Sequence, residues 1–167
     1  TAEMAERMCS EYGENPRLGY LAGLVHDICK DFDGKKMLSL AKQDGNPITD
    51  IEMDKKSLLH GRAAAILLET EYGITDEKVL EAVSNHVFGA PGMSDLGKIL
   101  YAADKSEPTR PHITKEYLDN LFSMPIINMM DFVLTENIEY LKKKNYTIYE
   151  QTFLLQNEIK ERLSINE

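Results

Sequence analysis

Three histidines and two aspartates are the residues of this 167-residue chain whose types and spacing could do chemistry. His26 and Asp27 adjoin in "LVHDICKD", His60 stands in "LLHG", His86 in "SNH" and Asp104 in "YAADK". Each is expected on an apolar helical face. His26 lies one turn after Ala22, His60 shares a stripe with Ala64 and Leu67, His86 one with Val79 and Val83, and Asp104 follows Leu100 and Tyr101 at i−4 and i−3. Singly, each histidine reads as a hydrogen-bonded core residue. Together they need a common partner, because burying unpaired carboxylates and imidazolium groups costs several kcal/mol apiece. A metal centre meets those costs at once. Helix neighbours do not face each other, so His26 and Asp27 are expected to embrace something lodged between helices, and Asp27 can offer one oxygen to each of two ions. The intervals of 34, 26 and 18 residues between successive ligands differ from the close cysteine pairs of a structural zinc site. A mixed imidazole and carboxylate set suits iron, manganese, cobalt, nickel or zinc without selecting among them.

The elements that must position these groups are helical. Ala5, Met8, Cys9 and Tyr12 recur at spacings of three and four, and Gly13 offers a left-handed stop. Further helices are predicted over 17–30, 35–42, 57–72, 75–88 and 94–106, with Thr75 and Ser94 as N-caps. "QDGNPITD" reads as a break. Three more helices are predicted from Thr114, from about Pro125 and from Thr147, where "TIYE" fits a capping box. No stretch alternates with period two. The class is all-α, with residues 1–167 forming one domain: a motif-bearing region over 1–110 and C-terminal helices over 114–167 that pack around it or contact a second copy in a homodimer.

Composition excludes several functions. Nineteen Lys and Arg against 28 Asp and Glu leave a net charge of −9, which argues against sequence-blind binding to nucleic acid or to an anionic membrane. No apolar run approaches the roughly 20 residues of a membrane span. Cys9 and Cys29 form no C-x-x-C pair and no signal segment opens the chain, so a reduced, cytoplasmic setting is expected. "YLKKKN" reads as a solvated helix end, Met129 and Met130 as core packing, and His112 in "TRPHIT" as a surface histidine.

The order "HD", "LLHG", "NH", "YAAD" resembles the HD-domain metal-dependent phosphohydrolases. The flanking "AGLVHDICK", "GITDEKVLEAVSNH", "GAPGMS" and "KILYAADKSEPTR" resemble the bacterial YqeK group of symmetrical bis(5'-nucleosyl)-tetraphosphatases, over about residues 1–110. The resemblance implies an HD-type helical bundle with two metal ions between its helices, iron in the family, that splits diadenosine tetraphosphate into two ADP by a metal-activated water. It implies that His26, Asp27 and Asp104 hold one ion and that Asp27, His60 and His86 hold the other. Asp27 and Lys30 would be catalytic, and Lys105, Glu107 and Arg110 would orient nucleotide and phosphates. The family's first histidine precedes the "TAEMAERM" helix, and the printed sequence starts after that place; water or Glu3 could stand in for it. Where the family tends to read His-Thr-Thr-Gly-Arg-Pro, this chain reads "HVFGAP", so Val87, Phe88 and Ala90 replace two hydroxyls and an arginine. That departure bears on substrate choice. It leaves open a nucleotidase or dNTP-type phosphohydrolase, or a catalytically impaired nucleotide-binding module.

Overall fold

A computed structural model describes residues 1–165, and all its regular structure there is helical. In chain order the α-helices are α1 (Ala2–Tyr12), α2 (Pro16–Val25), α3 (Gly34–Ala41), α4 (Asp50–Asp54), α5 (His60–Tyr72), α6 (Glu77–Asn85), α7 (Asp95–Lys105), α8 (Lys115–Ser123), α9 (Ile126–Lys143) and α10 (Glu150–Ile165). Short 3₁₀ turns cover Lys42–Asp44 and Lys56–Leu59.

Helix α7 is the axis of the core. Leu96, Ile99, Leu100, Tyr101, Ala102 and Ala103 are wholly buried, which is why this helix shows apolar residues around most of its circumference and not along one stripe. Helices α1, α2, α6 and α9 pack against it. The buried Tyr101 hydroxyl accepts from Asn137 Nδ2 at 2.8 Å, tying α9 to α7 through a satisfied polar pair. Helices α1 and α2 turn back on each other at Gly13, whose φ of 76° needs no Cβ. Their backbones meet closely at Gly23, where a Cβ would lie 2.6 Å from Ala2 Cα. That approach sets the carbonyl of Gly23, on which one site histidine depends.

Several boundaries differ from the sequence expectation. The helix predicted over 17–30 ends at Val25, and residues 26–32 run as tight turns in which Ile28, Lys30 and Phe32 bond to carbonyls three residues back. The cause lies in His26: its Nδ1 is 2.7 Å from the Gly23 carbonyl, competing with the backbone for the acceptor that a continuing helix would use. The helical run predicted over 57–72 is present, with a 3₁₀ start at Lys56–Leu59 that passes into α5 at His60, and His86 caps α6 after the predicted helix ends early. The N-cap of α6 is Asp76, one residue after Thr75, and its carboxylate accepts from Val79 N. Ser94 caps α7 as expected. The capping box at Thr147 does not start α10, which begins at Glu150 because Tyr149 is packed on Phe88 and Thr152 Oγ1 donates to the Phe88 carbonyl at 2.8 Å. The stretch read as a break, residues 43–50, runs up to the first residue of α4, which was not predicted; α4 is opened by Thr49, whose N–H and hydroxyl both donate to Glu52.

Arg62 on α5 anchors that stretch. Its guanidinium donates to Asp44 at 2.7 and 2.8 Å, to Glu52 at 2.9 and 3.1 Å, and to the carbonyls of Asn46 and Pro47. Glu52 is 1% exposed, so this is a buried charge with its partner in place.

Candidate metal centre

Helix ends, not helix faces, deliver the candidate ligands. His26 follows the last residue of α2, His60 is the first of α5, His86 follows the last of α6, and Asp104 lies in the final turn of α7. One device orients all three rings. Each Nδ1 lies 2.7 Å from the carbonyl three residues back: Gly23 for His26, Ser57 for His60 and Val83 for His86. A carbonyl only accepts, so Nδ1 carries the hydrogen, and in the neutral ring Nε2 is left with its lone pair facing inward.

These lone pairs converge on carboxylate oxygens. Asp27 Oδ1 is 3.1 Å from His60 Nε2 and 3.6 Å from His86 Nε2, while Asp27 Oδ2 is 3.5 Å from His26 Nε2. Asp104 Oδ1 approaches His26 Nε2 at 3.6 Å, and the Nε2 atoms of His60 and His86 are 3.0 Å apart. His26, Asp27 and His86 offer ligand atoms that all lie within 4.8 Å of one another. The two oxygens of Asp27 thus face different partners.

The donor set fits a metal. Two imidazole lone pairs 3.0 Å apart, with a carboxylate oxygen 3.1 Å from one of them, are acceptors without a donor. A proton on one ring would relieve the contact, but burial pushes the His86 imidazole below its usual pKa, against the pull of Asp27. A cation relieves it too, and atoms bound to one metal at about 2.0–2.2 Å stand about 3–3.5 Å apart when adjacent. Burial pushes both carboxyl groups up, yet each ends well below the ordinary range. For Asp27, the contacts with His60 and His86 and the hydrogen bond from Lys30 outweigh it; for Asp104, the charge of Lys105 and the contact with His26 do.

The three basic residues surround this cluster in different ways. Lys30 Nζ donates to Asp27 Oδ2 at 2.5 Å and is 60% exposed, so it can swing. Lys105 is fixed: its Nζ donates to the His86 carbonyl at 2.9 Å and to Asp104 Oδ2 at 3.2 Å, over the face of Tyr101. Burial lowers its pKa, opposed by Asp104. Arg110 donates to the Asp104 carbonyl through Nε and Nη2, bracing the end of α7. Glu107 is turned elsewhere, its carboxylate accepting from the N–H and hydroxyl of Thr109. Glu3 and His112 are exposed, the latter set edge-on to Tyr117.

A cavity of about 440 Å³ opens beside Asp104, Lys105 and Arg110, and its far wall carries Phe88, Tyr146 and Tyr149. Sequence reading assigned only packing or subunit contact to the helices after 114 and treated Phe88 as a lost phosphate donor. The signal it passed over was aromatic: two tyrosines in "NYTIYE" just before the last helix.

Comparison with known proteins agrees with this geometry. The HD domain family model matches residues 1–109. A symmetrical bis(5'-nucleosyl)-tetraphosphatase of Halalkalibacterium halodurans is 32% identical over 157 residues, covering 94% of this chain and 83% of that one. One of the same description from Bacillus subtilis is 28% identical, covering 93% and 81%. A crystal structure from Clostridium acetobutylicum, described as a predicted HD superfamily hydrolase involved in NAD metabolism, superposes with a TM-score of 0.87 at 30% identity over 96% of this chain and 85% of that one. With the family model matching residues 1–109, well over half of its length, this chain belongs to the HD domain family.

Proposed function

We propose that the chain hydrolyses dinucleoside tetraphosphates symmetrically, diadenosine tetraphosphate to two ADP, at a two-metal centre formed by His26, Asp27, His60, His86 and Asp104. The observation that carries the reading is the division of Asp27, with Oδ1 towards His60 and His86 and Oδ2 towards His26. It supports Asp27 as a bridge, with Asp104 joining His26 on one side. Iron is the metal the family resemblance implies. Two relatives over most of the chain's length carry the tetraphosphatase name.

Bound cations would supply a water acidic enough to attack at neutral pH and positive charge for the phosphoryl oxygens. The chain's own residues do the rest. The backbone carbonyls of Gly23, Ser57 and Val83 hold the rings in the tautomer that presents Nε2. Lys105 is a preorganised charge at the cavity mouth, and Lys30 is a mobile one that can leave Asp27 for a phosphate oxygen. Arg110 keeps Asp104 in register while its guanidinium, 42% exposed, faces solvent and substrate. Water attacks one of the two central phosphorus atoms, the bond to the central bridging oxygen breaks, and the departing nucleoside diphosphate is stable as an anion. The net charge of −9 makes such local positive groups necessary for a polyphosphate to approach.

No helix among the described residues is long and apolar enough to cross a membrane. A nucleotide substrate and two buried free thiols accord with a cytoplasmic setting. The test is product analysis on protein loaded anaerobically with ferrous iron. Diadenosine tetraphosphate should give ADP alone; AMP with ATP, or orthophosphate from a mononucleotide with the dinucleotide intact, would refute the reading.

A further inference from the structure

We infer that the cavity beside Asp104 is a nucleoside subsite whose base-stacking wall is Phe88, Tyr146 and Tyr149. The inference rests on the dinucleoside tetraphosphate reading above and extends it to the part of the substrate that does not react.

The cavity holds about 440 Å³, within the roughly 300–1,000 Å³ usual for small-molecule sites. Its two ends differ in chemistry. Asp104, Lys105 and Arg110 form the end next to the candidate ligands, where a phosphate belongs. The rest of the lining is mainly aromatic and apolar: the Phe88 and Tyr149 rings lie 4.3 Å apart and tilted by 38°, Leu58 and Leu141 share the cavity, and Tyr146 lines it with the Lys55 ammonium 5.3 Å from its ring centre. A nucleotide has the same polarity, a charged end joined through a sugar to a flat π-surface. Because every base has such a surface, stacking on aromatic side chains recognises the class.

This wall is built into the fold. Thr152 Oγ1 bonds the Phe88 carbonyl, so the start of α10 holds Phe88 at a separation of 64 residues. Gly89 lets α10 close: its φ is 71°, and a Cβ there would lie 2.4 Å from a Leu155 methyl. Tyr149 stays a neutral phenol, its pKa raised by burial first and then by the charge of Glu52. A neighbouring cavity of about 570 Å³ shares Lys105, Arg110 and Asn137 and so leaves room for the second half of a dinucleotide. Its walls carry Tyr117 and Tyr140 too, but with the carboxylates of Glu136 and Glu139 beside them and Tyr117 Oη bonded to Glu136, whereas Phe88 and Tyr149 already stack on each other in the first, so the stacking assignment belongs to the first.

The test measures binding of ADP and of inorganic pyrophosphate by calorimetry on the metal-loaded protein, for the wild type, Phe88→Ala and Tyr146→Ala. Tyr146 is 52% exposed, so its removal leaves the fold intact even if Phe88→Ala loosens it. ADP affinity should fall about tenfold in each variant, with pyrophosphate affinity unchanged. ADP affinity that is unchanged in Tyr146→Ala and in folded Phe88→Ala, or that falls equally with pyrophosphate, would overturn the assignment. Turnover of diadenosine tetraphosphate by the wild type is read separately. ADP binding that depends on the aromatic wall without any turnover refutes the hydrolase reading and upholds the subsite; turnover with ADP affinity insensitive to the wall does the reverse.

Discussion

Helix α5 carries two polar clusters two residues apart, and they are opposites. Arg62 meets two carboxylates and two carbonyls, so its donors and their acceptors are matched and the group is closed. His60 meets another imidazole lone pair and a carboxylate, so acceptors face acceptors and the group is open. Both are sheltered, and a survey of inward-facing polar residues would rank them alike. The balance of donors separates them. A cluster that satisfies itself holds structure, whereas one short of positive charge asks for a ligand.

The largest effect should come from breaking the open cluster at its centre. Asp27→Ala removes the carboxylate between all three rings, and turnover of diadenosine tetraphosphate should fall by about a thousandfold or more, with metal content by elemental analysis falling alongside. Normal metal content in that variant would show that Asp27 is no bridge. Stability should change less than turnover does, since Asp27 is only partly buried, with 29% of its side chain exposed.

Breaking the closed cluster should do the converse. Arg62→Ala leaves Glu52 buried without its cation, which costs about 3–5 kcal/mol. Denaturant unfolding should show that loss. Activity per folded molecule and metal content should stay near wild type, and loss of metal at full folding would mean that the two clusters are coupled through α5.

How far each cluster was readable from the chain follows from where its partners lie. The five candidate ligands could be selected because each is a polar group in an apolar helical pattern. The helix end at Gly13 and the cap at Ser94 followed from local chemistry and are present. The placement of the histidines within helices was misread, because a side chain that takes the carbonyl three residues back ends or tightens a helix, and periodicity does not register that. Arg62 was missed for a different reason. Asp44 ends a 3₁₀ turn and Glu52 lies in the short helix α4, 18 and 10 residues away, and only the folded path between them brings both to the guanidinium. Phe88 and Tyr149 likewise meet only through the closure of α10.

Lys30 sharpens the comparison at smaller scale. Its ammonium is the one cation already donating to Asp27, but it is mostly exposed. Lys30→Ala should keep its metal and lower kcat by about tenfold to a hundredfold, less than removal of a ligand. Metal loss in this variant would assign Lys30 to assembly of the centre instead of to the reaction.

The smallest effect concerns acid. Burial raises the Asp44 carboxyl, but the hydrogen bond from Arg62 leads the opposing contributions, and the group ends below its ordinary value of 3.8. A carboxyl depressed in the folded state binds its proton less readily there than in the unfolded chain. Its contribution to stability is therefore complete above about 3.8 and disappears as pH falls through the lower folded value. Asp27 and Asp104 are depressed as well, so the wild-type curve alone mixes the two clusters. Asp44→Asn separates them. The difference in unfolding free energy between wild type and Asp44→Asn should be flat from pH 7 to about 5 and shrink as pH falls below 3.8. A difference independent of pH down to the acid limit would show that the Asp44 carboxylate gains nothing from Arg62. The closed cluster would then owe its hold on this stretch to Glu52 and the carbonyls of Asn46 and Pro47.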